Sequence, residues 1–275
     1  MDFLVSLTLR HRFNSRLEQW QVPSNLLYLE FGDNFNEDLQ YATLPSTLRS
    51  LTFGKHFNQS LDYTMLPDGL HDLKFGRYFN HDLRWVTLPS NLKSLTFGLA
   101  FNQSLEQTKL PDALLSLTFG ECFNQCLEGT TLPKDLRVLM FGDAFNQHLG
   151  NSLPDSILIL TFGEAFNQPL DWTRLPRRLT DLRFGNNFNQ SLNSPVHVPH
   201  GLVRLIFGDS FNQNLRNTEL PSGLMHLEFG RDFNQSLSGV RIPSNLNVLK
   251  FGAGYKQPFV GQNCHLPETI KIFEA

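Results

Sequence analysis

Nine histidines, three cysteines and 26 carboxylates are the side chains with which this chain could hold a metal ion, attack a carbonyl or move a proton. A metal site needs such residues in pairs at short fixed spacing, and nucleophilic catalysis needs a Ser or Cys that the fold brings to a base. His56, His71, His81, His148, His197, His200, His226 and His265 are dispersed over variable positions, and His11 lies near the start. Cys122 and Cys126 are four apart with no second Cys or His pair at zinc spacing, and Cys264 is remote from both. Neither a phosphate-cradling Gly loop nor a nucleophile elbow occurs. Carboxylates are not in excess on neighbouring segments, as a lyase groove would require. The expectation is a chain with no catalytic residue, no metal site and no cofactor.

The elements that position these residues are copies of one unit. Phe13-Asn14, Phe35-Asn36, Phe57-Asn58, Phe79-Asn80 and Phe101-Asn102 begin a series spaced by 22 residues. It runs through Phe123-Asn124, Phe145-Asn146, Phe166-Asn167, Phe188-Asn189, Phe211-Asn212 and Phe233-Asn234 to a degenerate copy at Tyr255-Lys256. The register slips only near Gly150, between Asn193 and Pro199, and after Phe259. With no linker or change of composition inside the array, residues 1–275 read as a single solenoid domain of about twelve repeats, with partial coils at both ends.

One complete copy contains Leu48, Leu51, Phe53, Gly54, Phe57, Asn58, Leu61, Leu66 and Pro67. Apolar spacings of two, three and four suit neither a long helix nor a two-sided strand, but they do suit a coil that turns every few residues and points one side chain inward each time. Such a unit cannot bury its own apolar side, so the copies must stack into ladders of Leu and Phe and fold cooperatively. The fold class is therefore a repeat solenoid: a parallel β-solenoid of leucine-rich-repeat type with coils of about 22 residues and little helix. The Gly after the strand Phe (Gly32, Gly54, Gly76, Gly98) marks either a positive φ or a close backbone approach. Pro23, Pro45, Pro67 and Pro89 suit corners, where φ is fixed and no N–H is needed. The Asn after the corner Phe is expected to be buried, with its amide bonding backbone groups that the bend leaves unpaired.

These residues resemble the FNIP repeat, a relative of the leucine-rich repeat named for a Phe-Asn-Ile-Pro core. Phe166-Asn167-Gln168-Pro169-Leu170, preceded by Leu160-Thr161-Phe162-Gly163, is a near match, whereas several copies read Phe-Asn-Gln-Ser-Leu, as in Phe57 to Leu61 and Phe101 to Leu105. The resemblance covers nearly the whole chain and implies a scaffold fold. It implies no catalytic residue.

A partner must then be sought among residues that vary. On each strand the residues between the ladder leucines should face outward. Most are polar, as in Arg49, Ser50 and Thr52 or Lys93, Ser94 and Thr96. Leu115, Val138, Met140, Leu158 and Ile159 break that pattern and, with Arg137 and Arg183 as charges at the margin, form the first candidate protein-binding patch. A second candidate stripe stands two residues after the corner Leu: Tyr41, Tyr63 and Trp85 on successive copies, and Trp172 on a later one. These rings either bind a ligand or shield the core beneath them. No basic stripe accompanies either set, so nucleic acid is not an expected partner.

A formal charge of -3 gives no bulk electrostatic preference, and no apolar run is long enough to span a membrane. The first residues do not resemble a secretion signal, three cysteines make no disulfide framework, and Asn58, Asn102, Asn189 and Asn234 lie in glycosylation sequons although their burial is expected. An intracellular, cytoplasmic setting fits these features. Leu4, Leu7 and Leu9 at one end and Ile270 and Phe273 at the other are strand residues without a polar cap, which admits end-to-end self-association. Function is thus read as a non-catalytic scaffold for protein–protein interaction, with a structural or self-assembling rod as the alternative.

Overall fold

The computed structural model describes residues 4–17, 22–171, 173–193, 198–258 and 271–274, with the backbone alone for 272–274. The chain forms two compact units, Met1–Val138 and Leu139–Ala275. The first holds β1 (Ser6–Thr8), β2 (Tyr28–Glu30), β3 (Ser50–Thr52), β4 (Asp72–Lys74), β5 (Ser94–Thr96) and β6 (Ser116–Thr118). The short β7 (Val138–Met140) crosses the division. The second holds β8 (Ile159–Thr161), β9 (Asp181–Arg183), β10 (Arg204–Ile206), β11 (His226–Glu228), β12 (Val248–Phe251) and β13 (Lys271–Glu274). Within each unit every strand pairs in parallel with the next, and the central leucines align, as Leu29, Leu51 and Leu73 do in the first and Leu182, Leu205 and Leu227 in the second. The chain is a parallel β-solenoid of about 11 coils of ~22 residues, and the described residues contain no α-helix.

Each coil bends at three turns. In the coil after β3, the Gly54 carbonyl accepts the Phe57 N–H at 3.3 Å, Leu61 accepts Thr64 at 2.9 Å, and Pro67 accepts Leu70 at 3.0 Å. Proline thus closes a corner with its carbonyl while its missing N–H costs nothing. Three corners turn Leu51, Phe53, Phe57, Leu61, Leu66 and Leu70 inward, and all are buried. Neighbouring coils then stack like on like: Phe53 and Phe75 lie 5.6 Å apart between centroids, Phe57 and Phe79 6.1 Å, in offset parallel geometry.

The glycine ladder is explained by close approach. Gly54, Gly98 and their equivalents have no positive φ. A Cβ on Gly98 would instead run into the carbonyl of Gly76 on the preceding coil. Among the described residues positive φ occurs only at Gly129, Gly150 and Gly239, all in the second corner.

The ladder Asn bonds the backbone as expected, but at the surface. The Asn58 N–H donates to Asn36 Oδ1 at 2.8 Å, Asn80 N–H to Asn58 Oδ1 at 2.9 Å, and Asn124 N–H to Asn102 Oδ1 at 2.9 Å. Asn58 and Asn80 are exposed and Asn102 half-buried. Burial therefore does not keep these sequon asparagines from solvent, because the Asn replaces a carbonyl acceptor on the outside of the bend. The following Gln joins the ladder: Gln103 Nε2 donates to the Asn80 carbonyl and to its Oδ1, each at 3.1 Å.

Candidate functional site

The second corner is where the aromatic residues of the first unit stand. Its tight turn is closed by Leu39 accepting from Ala42 at 2.9 Å, Leu61 from Thr64 at 2.9 Å and Leu83 from Val86 at 3.0 Å. The first and fourth residues of each turn are buried. The third is left at the solvent, so Tyr41, Tyr63 and Trp85 occupy the outermost position of three consecutive coils.

A side chain just ahead of each turn fixes its shape. Asp38 Oδ1 accepts the Gln40 N–H at 2.7 Å, Ser60 Oγ accepts Asp62 N–H at 3.1 Å, and Asp82 Oδ1 accepts Arg84 N–H at 3.3 Å. These are local turns of the kind Asp and Ser favour. The rings therefore ride on an ordered backbone, yet they are 68%, 75% and 72% exposed. They stand outside the core, because the inward place at this corner belongs to Leu and to Ala, Thr or Val.

Met65, 83% exposed, joins Tyr63 on the same coil. Its signal in the sequence was an apolar residue where the neighbouring copies carry Thr43, Thr87 and Lys109. The row ends at Gln107 and Gly129. Trp172 lies outside the described residues.

The other candidate set is divided between the two units. Leu115, Arg137 and Val138 belong to the first, where the Leu115 carbonyl accepts Arg137 N–H at 2.8 Å and Val138 N–H at 3.0 Å. Met140, Leu158, Ile159 and Arg183 belong to the second. Arg137 and Met140 are exposed, Met140 by 37%, whereas Leu115, Val138, Leu158, Ile159 and Arg183 are half-buried. All the strand positions face away from the ladder leucines, as their register requires.

Farther along the same outward face of the second unit, charges pair with one another. Arg183 donates to both oxygens of Asp181, each at 2.8 Å, and that hydrogen bonding raises its pKa. Burial pushes the Glu228 carboxyl up, but hydrogen bonds from Lys250 at 2.6 Å and His226 at 3.2 Å outweigh it and leave the group below its ordinary range. These groups satisfy one another and hold adjacent strands. Cys122 and Cys126 are exposed free thiols, and Cys264 lies outside the described residues. Among the described residues no three His, Cys, Asp or Glu side chains are placed to hold a metal ion. No helix among them is long and apolar enough to cross a membrane.

Stacked coils, a one-sided parallel sheet and three-cornered turns define a leucine-rich-repeat-type solenoid. The FNIP Repeat model matches residues 13–56, 57–100, 79–122, 101–143, 123–165, 166–210, 195–232, 211–254 and 233–273, and the chain belongs to the FNIP repeat family. Among solved structures it is similar to CroV588, described as a novel circular leucine-rich-repeat protein, at 31% identity and a TM-score of 0.67, over 97% of this chain and 49% of that one. The chain thus spans about half the length of CroV588. YopM from Yersinia enterocolitica WA-314 is 20% identical over 93% of this chain and 65% of its own, with a TM-score of 0.52, and shares the fold. No curated protein matches the chain.

Proposed function

We propose that this chain is a non-catalytic scaffold for protein–protein interaction and that Tyr41, Tyr63 and Trp85, with Met65, form its contact row. The observation that carries the reading is their exposure of 68–83% on turns whose backbone is already hydrogen-bonded. Large rings held outward on an ordered backbone lose little conformational freedom on binding, and aromatic residues supply most hot-spot energy at interfaces. The solenoid repeats one corner coil after coil, so a row of contacts needs no separate folding of its own. A reducing, intracellular setting belongs to the same reading, since Cys122 and Cys126 are exposed free thiols.

The test is quantitative affinity capture with the wild type and with Tyr41→Ser, Tyr63→Ser and Trp85→Ser combined, followed by reconstitution from purified components. The triple variant should keep its unfolding midpoint and weaken the reconstituted complex at least tenfold, about 1.4 kcal/mol. Unchanged affinity would overturn the assignment of the row. A concentration-dependent dimer that only the wild type forms would identify the partner as a second copy of the chain.

A further inference from the structure

Four carboxylates flank the contact row. Glu37, Asp38, Asp62 and Asp82 stand within four residues of its rings in sequence, on the same corners, against a single Arg84. On the next coil Glu106 is balanced by Lys109, so the acidic stretch ends with the rings. Arg84 pairs with Asp82 at 3.2 Å and Arg16 with Glu37 at 3.7 Å. Asp62 is half-buried directly before Tyr63. Tyr and Trp faces attract Lys and Arg, and carboxylates on the same corner add to the attraction.

Resting on the interaction reading above, we infer that the row recognises a basic segment of its partner: an extended stretch presenting Lys or Arg at intervals that match successive coils. Each cation would sit over one ring and against the neighbouring carboxylate. The array is chemically distinct from the outward face of β9 to β12, where Asp181, Glu228, Arg183 and Lys250 already neutralise one another.

Fluorescence anisotropy with a labelled nine-residue peptide of alternating Arg and Gly, beside a Glu-Gly peptide of equal length, tests the inference on the whole chain. The Arg peptide should bind and the Glu peptide should not. Affinity should fall at least tenfold in the Tyr41→Ser, Tyr63→Ser, Trp85→Ser variant, in which every carboxylate remains. It should fall similarly in Asp38→Asn, Asp62→Asn, Asp82→Asn, which keeps the rings and the Oδ1 acceptors of the turns. Glu121→Gln with Glu164→Gln, elsewhere on the surface, should leave it unchanged, and circular dichroism confirms that each variant is folded. Equal loss in that control, or full binding by the ring variant, would reduce the effect to general charge attraction and overturn the inference. If no basic peptide binds while the captured partner still depends on the row, the basic chemistry fails and the interaction reading stands.

Discussion

Two glycines seven residues apart should respond to alanine with opposite sign. Gly230 belongs to the ladder that follows each strand, and a Cβ there would collide with the Gly208 carbonyl and with Asp209 Cα, both backbone atoms of the preceding coil. Neither atom can yield without parting strands that are hydrogen-bonded to each other through Arg204–Ile206 and His226–Glu228. Overpacking that side chains can relieve costs about 1–3 kcal/mol, and a clash with fixed backbone belongs at or above the top of that range. At Gly223 the nearest atoms to a Cβ are the His200 and Leu202 carbonyls at 3.8 and 4.0 Å, ordinary contact distances, and φ is not positive. Equivalent positions in other copies carry Ala113, Asp135 and Asn245. Gly223→Ala should therefore stabilise by about 0.4–1 kcal/mol, since it restricts the unfolded chain without straining the folded one. Urea unfolding of the wild type and both variants under one set of conditions measures this, with the slopes compared to confirm that the same surface is exposed. A Gly230→Ala midpoint equal to that of the wild type would mean that the coils separate freely at this point, and the packing account of the glycine ladder would fail.

Removing the Asn102 side chain takes the acceptor from Asn124 N–H and from Gln125 Nε2, so Asn102→Ala should cost about 1–2 kcal/mol and Gln103→Ala, which loses only donors at the surface, about 0.5 kcal/mol, both read from urea midpoints. Thr108 is buried with an unpartnered hydroxyl at a position that holds Val86 and Val240 in other coils; Thr108→Val should be neutral or raise stability by up to about 1 kcal/mol, and a clear loss would reveal a partner for that hydroxyl. Glu228 is held below the ordinary carboxylate range, so its contribution is present above the unfolded pKa and lost as pH falls through the folded one. The stability gap between wild type and Glu228→Gln should therefore be open at pH 7 and close below about pH 4, as thermal melts across that range would show; a gap independent of pH would assign the effect to packing.

The repeat made most of the fold legible. Equivalent residues 22 apart must take equivalent places, so the repeat alone assigns Leu51, Phe53 and Phe57 inward, Ser50 and Thr52 outward, and Pro67 to a corner. Periodicity carries that information because each coil's surroundings are copies of itself. It does not state how far an outward side chain stands from the surface. The ladder asparagines were expected inside and lie at or near the surface, since the sequence gives the same pattern for a polar residue bonding a bend from within or from without. The reason for the glycine ladder was open between backbone conformation and close approach. Only the distance from Gly98 to the Gly76 carbonyl on the neighbouring coil decided it. Likewise, Tyr41, Tyr63 and Trp85 could be aligned from sequence, but whether they covered the core depended on the turn beneath them. Leu39, Leu61 and Leu83, with Ala42, Thr64 and Val86, fill the inward places of that turn, so geometry left the rings nowhere to go except outward.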